Sequence, residues 1–228
     1  MTRTNPQWLY AGNGSVSSLP HPARQGLLQT EEYARAVLSV GVTLSSELQL
    51  EERLSARMGR QTRLASDDRP VLRVVLDEAV LRRPVGGPAV MRAQLKRLLD
   101  AASERHITVQ GLPFDQGEHD VMGGSLTILT LPDGSDVAYT EGAHYGQLIE
   151  ETDEVRTFAL AYHQLTAAAL PPLMSLEMIG SVMEENHRGA KVPSRSERRR
   201  VAQEQLQQSG RRGLRGSGGR IPRRRPRP

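Results

Sequence analysis

The chain contains no cysteine, which removes disulfides, thiolate metal sites and a thiolate nucleophile together. Long apolar runs are missing too, since none approaches the roughly eighteen residues that span a bilayer. The opening MTRTNPQWLYAGNGSVSSLPHP has no continuous apolar stretch after Arg3 that could serve as a secretion signal. A cytoplasmic location with no membrane contact is therefore expected. There is no GxSxG elbow, and no glycine cluster has phosphate-loop or dinucleotide spacing. Gly86 with Gly87 and Gly123 with Gly124 read as ordinary turns. Six histidines are scattered along the chain, and only Glu118, His119 and Asp120 stand together. Consecutive residues rarely all turn toward one ion, so neither a metal nor another cofactor is expected.

The charges are segregated. Residues 188–228 carry fourteen arginines and lysines against Glu197 and Glu204, a net of +12, while residues 1–187 sum to −8, giving +4 overall. Such asymmetry separates a folded body from an interaction arm. Of the thirty basic residues twenty-eight are arginine, which reads as coding bias more than as a physical signal. The tail, rich in Arg, Gly, Pro and Ser, has almost nothing to bury and is expected to be disordered. Its cluster Arg223, Arg224, Arg225 and Arg227 suits non-specific nucleic-acid binding by counterion release. With no interleaved aromatics and no recognition helix, such binding would ignore sequence. A functionless extension, or a stretch produced by a shifted reading frame, would have the same composition.

Residues 1–22 are rich in Gly, Ser, Asn and Pro without a sustained period, and read as a loose lead-in. A domain is expected over 23–187. Thr30 suits an N-cap, with Glu31 and Glu32 at the positive end of a helix that buries Tyr33, Ala34, Val37 and Leu38 and stops at Gly41. Ser46 and Gln49 form a capping-box pattern for a second helix carrying Leu50, Leu54 and Met58. Val71 to Leu76 is short and β-branched, a buried strand. Gly86, Gly87 and Pro88 turn into a third helix, where Met91, Leu95, Leu98, Leu99 and Ala102 share a face. HITVQGL, SLTILTL and DVAYTE are strands, the last two joined by a hairpin signal at Pro132 to Ser135. Thr152 or Asp153 can cap a fourth helix with Val155, Phe158, Ala159, Tyr162 and Leu165 inward, and Pro171 and Pro172 separate it from a fifth over Leu173 to Met183. The order implies an α+β fold, a small mainly antiparallel sheet packed with about five helices.

Two groups of charges call for weighing. Asp77 and Glu78 follow a strand end, where carboxylates can do acid and base work if burial separates their pKa values. The plainer expectation is that one caps a short turn while the other pairs with a nearby arginine. Arg53, Arg57 and Arg60 fall on one helical face, and the positions four residues before them hold Gln49, Arg53 and Ala56, so compensation must come from outside the helix. Glu78 or Glu141 within the fold, solvent, or an anionic partner could supply it.

The blocks GLLQTEEYARAVL (Gly26 to Leu38), RMGRQTRL (Arg57 to Leu64), VLDEAVLRRPVGGPAVMRAQL (Val75 to Leu95), ITVQGLPF with Gly117 and His119, and AYTEG (Ala138 to Gly142) occur in order. Together they resemble the antitoxin-like C-terminal domain, of unknown function, of actinobacterial Xre-type helix-turn-helix transcriptional regulators, over about Ala23 to Glu184. That resemblance implies a sensing or interaction domain and not an enzyme, one that works beside a DNA-reading domain and a small partner protein. Two departures stand out: Gln25 occupies a position where proline is usual, and GNGSVSSLPHP replaces the leading helix. Met1 to Gln25 is too short for a three-helix DNA reader. The expected function is thus a non-enzymatic interaction or ligand-sensing domain lacking its own reader. Its partner would be a small protein or a full-length regulator, and its surface would be Arg57, Arg60, Glu78 and Glu141. The alternative is a nucleic-acid-associated protein acting through its tail.

Overall fold

Side chains of the strand Val71–Asp77 (β2) alternate between two covered faces, Leu72, Val74 and Leu76 joining one apolar cluster and Val75 the other. Double coverage is why this strand reads as a nearly unbroken apolar run. The computed structural model describes residues 15–19, 26–40, 47–142 and 146–188, all within the unit Met1–Ala190. Around β2 lie β1 (Ser15–Leu19), β3 (Ile107–Leu112), β4 (Ser125–Thr130), β5 (Asp136–Glu141) and β6 (Gly146–Ile149), in the sheet order β3-β2-β1-β4-β5-β6. The ladders β1·β2 and β2·β3 are parallel, and β1·β4, β4·β5 and β5·β6 are antiparallel.

The architecture is α+β with a mainly antiparallel sheet, as the sequence implied. The expectation of a loose lead-in is corrected for Ser15–Leu19 alone; the rest of residues 1–22 lies outside the described residues. Ser15–Leu19 forms β1, pairing Ser15 with Val71 on one side and with Thr130 on the other. SVSSL has little strand propensity of its own, and what makes it a strand is the pair of distant neighbours that complete its ladder.

Among the described residues six α-helices are present where about five were expected: α1 (Glu31–Leu38), α2 (Glu47–Gly59), α3 (Glu78–Arg82), α4 (Pro88–Ala101), α5 (Thr152–Ala168) and α6 (Pro172–Arg188). The additional one is α3, a little over one turn long. Thr30 caps α1, its Oγ1 accepting from Tyr33 N at 3.3 Å. Gly86 and Gly87, at φ 68° and 95°, make the turn that places Pro88 at the start of α4. At α5 the cap is Glu151, not Thr152 or Asp153, its carboxylate accepting from Asp153 N at 3.2 Å and Glu154 N at 2.8 Å. A longer side chain one position earlier reaches both orphan N–H groups. Gly41, Ser46 and the tail, including Arg223, Arg224, Arg225 and Arg227, lie outside the described residues.

On one face of the sheet, Leu81 of α3, Leu95 and Leu98 of α4, and Ile179 and Val182 of α6 cover Leu72, Val74 and Val109. On the other, Val155, Tyr162 and Leu165 of α5 cover Val75, Leu126, Ile128 and Ala138. Each fully buried large side chain contributes about 1.5–3 kcal/mol. Helices α5 and α6 meet at a 71° bend, and among the described residues no single helix is long and apolar enough to cross a membrane.

Candidate functional site

The chemistry of the site begins where β2 ends. Asp77 Oδ1 accepts from Ala79 N at 2.7 Å and caps α3, while Glu78 pairs with Arg82 at 2.5 Å and accepts from Phe114 N at 3.0 Å. The two carboxylates thus take the plainer roles weighed for them, one as cap and one as arginine partner. Burial pushes the Glu78 carboxyl up, but the Phe114 N–H and the Arg82 guanidinium together outweigh it, and its pKa lies below the ordinary glutamate value. Arg82 also reaches Glu185 at 2.6 Å, tying α3 to α6.

The other Asp77 oxygen, Oδ2, faces His119 Nε2 at 3.4 Å. Because His119 Nδ1 accepts the Val121 N–H at 3.3 Å, the network assigns the ring proton to Nε2, pointing at Asp77. Met122 N donates to His119 O at 3.3 Å and Gly124 N to Val121 O at 3.4 Å. This chain of bonds anchors the loop between β3 and β4 to the end of β2. The run Glu118, His119, Asp120 is divided by it: His119 turns to Asp77, Glu118 is exposed, and Asp120 reaches a cavity. Among the described residues, no group of three or more acidic or histidine side chains is placed to hold a metal.

That cavity, about 470 Å3, lies between α5 and the adjoining ends of β4 and β5, with the anchored loop as its third wall. Its volume is in the range of small-molecule sites, ~300–1,000 Å3. Thr157, Ala161 and Gln164 recur at helical spacing along its α5 side, with Phe158 and Leu160 beside them. The strand side holds Ser125 and Leu126 against their ladder partners Glu141 and Thr140. Asp120, Val121, Gly123 and Gly124 form the loop side. Gly124 is required here by close approach, since a Cβ built on it would stand 2.6 Å from Glu141 O. Leu160, in the lining, is 59% exposed. Asp120 and Glu141 are carboxylates, and among the described lining residues there is no lysine, arginine or histidine.

The four residues expected to form one surface are distributed. Arg57 is half-buried on α2, its Nη1 donating to Gln29 Oε1 at 3.0 Å, with Gly26 against its stem. Arg60 opens the short 3-10 helix Arg60–Ala65 that follows α2. Glu78 begins α3, and Glu141 closes β5. Glu141 alone of the four lines the cavity. The sequence reading did not find the rest of the lining, although two signals carried it: the paired glycines Gly123 and Gly124, and the spacing of Thr157, Ala161 and Gln164.

No curated protein and no solved structure matches this chain. Residues 22–181, well over half of the sequence, match a family described as a domain of unknown function (DUF5753). Its span takes in α1 to α5, most of α6, and every residue that lines the cavity. By that match the chain belongs to the DUF5753 family.

Proposed function

We propose that this protein is a non-enzymatic, cytoplasmic ligand-sensing and interaction domain of the kind attached to Xre-type, antitoxin-like transcriptional regulators. It would hold a small molecule beneath α5 and engage a small partner protein or a full-length regulator. The observation that carries the reading is the cavity itself, preformed, largely apolar and walled by a loop that a side-chain network anchors to the sheet. Ligand in such a position bridges α5, the β4·β5 ladder and the anchored loop, so occupancy can bias how they pack. The experiment is thermal unfolding of the protein against a small-molecule library. Binding to the native state raises Tm with ligand concentration, and Ala161→Phe, which fills the cavity from α5, should remove the shift while leaving a folded protein. Compounds that shift both forms equally, or a library without effect on either, would overturn the reading.

The charge asymmetry of the sequence favours a second role, sequence-blind nucleic-acid binding through residues 188–228. Duplex affinity that falls steeply with salt and disappears when residues 191–228 are removed would support it. Affinity indifferent to that truncation would rule it out.

A further inference from the structure

We infer that His119 is a pH-sensitive latch on the wall of the cavity beneath α5, holding Val121 while the imidazole is neutral and releasing it when the ring gains a proton. Both ring nitrogens are committed in the neutral form. Nδ1 accepts the Val121 N–H at 3.3 Å, and the Nε2 hydrogen points at Asp77 Oδ2, 3.4 Å away, on a carboxylate whose other oxygen is fixed by Ala79 N at 2.7 Å. An imidazolium carries a hydrogen on each nitrogen and has no acceptor left. Protonation at Nδ1 therefore sets two donors against each other at Val121, while it turns the contact with Asp77 into an ion pair. One bond of the loop is lost as its neighbour strengthens.

The loop is built so that this exchange moves a particular residue. His119 stays tied to the end of β2 through Asp77, and Gly124 stays against β5, where a Cβ would stand 2.6 Å from Glu141 O. Val121 lies between these fixed ends, half-buried, lining the cavity and packed against the apolar cluster beneath α5. Once its N–H loses its acceptor, it is the part of the wall free to lift. Solvent reaches the ring, whose side chain keeps 16% of its exposure, and imidazole is the group that titrates between about pH 5 and 8. The surrounding elements bring other charges: Asp77 from β2, Glu78 of α3 with the Arg82 that it holds, exposed Glu118 and Asp120 on the loop, and Glu141 on β5. From α5 the wall meets Thr157, Phe158, Ala161 and Gln164, none of them charged. Among the described residues Asp77 is the charged group that pairs with the ring.

Nuclear magnetic resonance of the full chain, without ligand, between about pH 8 and about pH 5 tests this. The imidazole nitrogen shifts of His119 should report the Nε2–H form at the upper end and imidazolium at the lower. Protection of the Val121 amide against hydrogen exchange, corrected for the intrinsic rate, should fall about three- to tenfold with that protonation. The Ala79 amide, held by Asp77, should keep its protection. His119→Asn places a side-chain oxygen two residues before the same N–H and cannot titrate, so protection of Val121 in that variant should not change with pH. A ring that stays neutral throughout, or one that carries its proton on Nδ1 at the upper end, would overturn the latch. So would Val121 protection that does not follow the imidazole titration, or a pH dependence that survives His119→Asn. Since no ligand enters the measurement, each of these failures leaves the ligand-sensing reading standing.

Discussion

Gln94 Oε1 accepts the backbone N–H of Thr30 at 2.8 Å across sixty-four residues of sequence. The same amide donates from Nε2 to Leu28 O at 2.9 Å. Gln61 reaches the same strip of chain, its Nε2 donating to Gly26 O at 2.6 Å and Gln29 O at 2.7 Å. Three sequence blocks, GLLQT, RMGRQTRL and MRAQL, therefore meet in one clasp, where side-chain amides pair with backbone groups of the short 3-10 turn Gly26–Leu28 and the two residues after it.

Replacing Gln94 by leucine keeps the volume and removes both bonds. Leaving one buried backbone group unpaired at ~1–3 kcal/mol, and one half-buried group at about 1 kcal/mol, should lower stability by about 2–4 kcal/mol. The urea midpoint should fall with little change in slope. A variant within about 0.5 kcal/mol of the parent would show that the clasp is not what secures this segment.

Gly124→Ala tests the close approach between the anchored loop and β5. The added methyl meets a backbone oxygen, which cannot swing aside as a flexible side chain can, so a loss of about 1–3 kcal/mol is expected. Ligand-dependent thermal shifts should weaken as well, since the loop wall must move. Unaltered stability together with unaltered shifts would mean that the loop accommodates a side chain freely.

Tyr33 is buried, and its hydroxyl has no hydrogen-bond partner among the described residues. Burial pushes its pKa up to about 12, with Arg83 opposing only in part. The neutral phenol is thus favoured by the fold, so the associated stability is complete below the unfolded value near 10 and is lost as pH rises from there toward 12. Tyr33→Phe should be neutral or stabilising by up to about 1 kcal/mol at neutral pH and should flatten that alkaline decline. Absorbance of tyrosinate against pH, with denaturation curves at matched pH, measures both.

Acid should act in the opposite sense through Glu78 and Glu151. Both carboxyls titrate below the ordinary glutamate range, Glu78 because the Phe114 N–H and Arg82 outweigh its burial, Glu151 because it accepts the N–H groups of Glu154 and Asp153. Depressed folded-state values mean stability that is present above the unfolded pKa and lost as pH falls through the folded one. Glu78→Gln should therefore lower stability at neutral pH and reduce the acid-side slope. An acid limb identical to that of the parent would show that Glu78 contributes nothing to it.

Local signals recovered most elements because they act within one or two turns of chain. The Thr30 cap, the Gly86–Gly87–Pro88 turn and the β4·β5 hairpin each depend on residues a few positions apart. The assignment of Asp77 and Glu78 to cap and ion pair was legible for the same reason, both partners lying within four residues. Strand β1 was not, because its ladder partners stand more than fifty residues away in sequence. Nor was the partner of Arg57: helical spacing put Arg53, Arg57 and Arg60 on one face, whereas α2 ends at Gly59 and Arg60 opens a 3-10 helix, and spacing could not show that Arg57 meets the amide of Gln29.

Charge segregation, the absence of thiol chemistry, the α+β order of elements and the apolar stripes of α4 and α5 were determined by the sequence itself, since composition and periodicity are properties of a linear chain. The tertiary structure decided which carboxylate faces a cavity and which only caps or braces a turn. It also brought His119 to Asp77, Gly124 to Glu141 and Gln94 to Thr30. Those pairings depend on the register of strands and the seating of α5, which follow from burying two apolar faces at once and leave no local mark on the residues concerned.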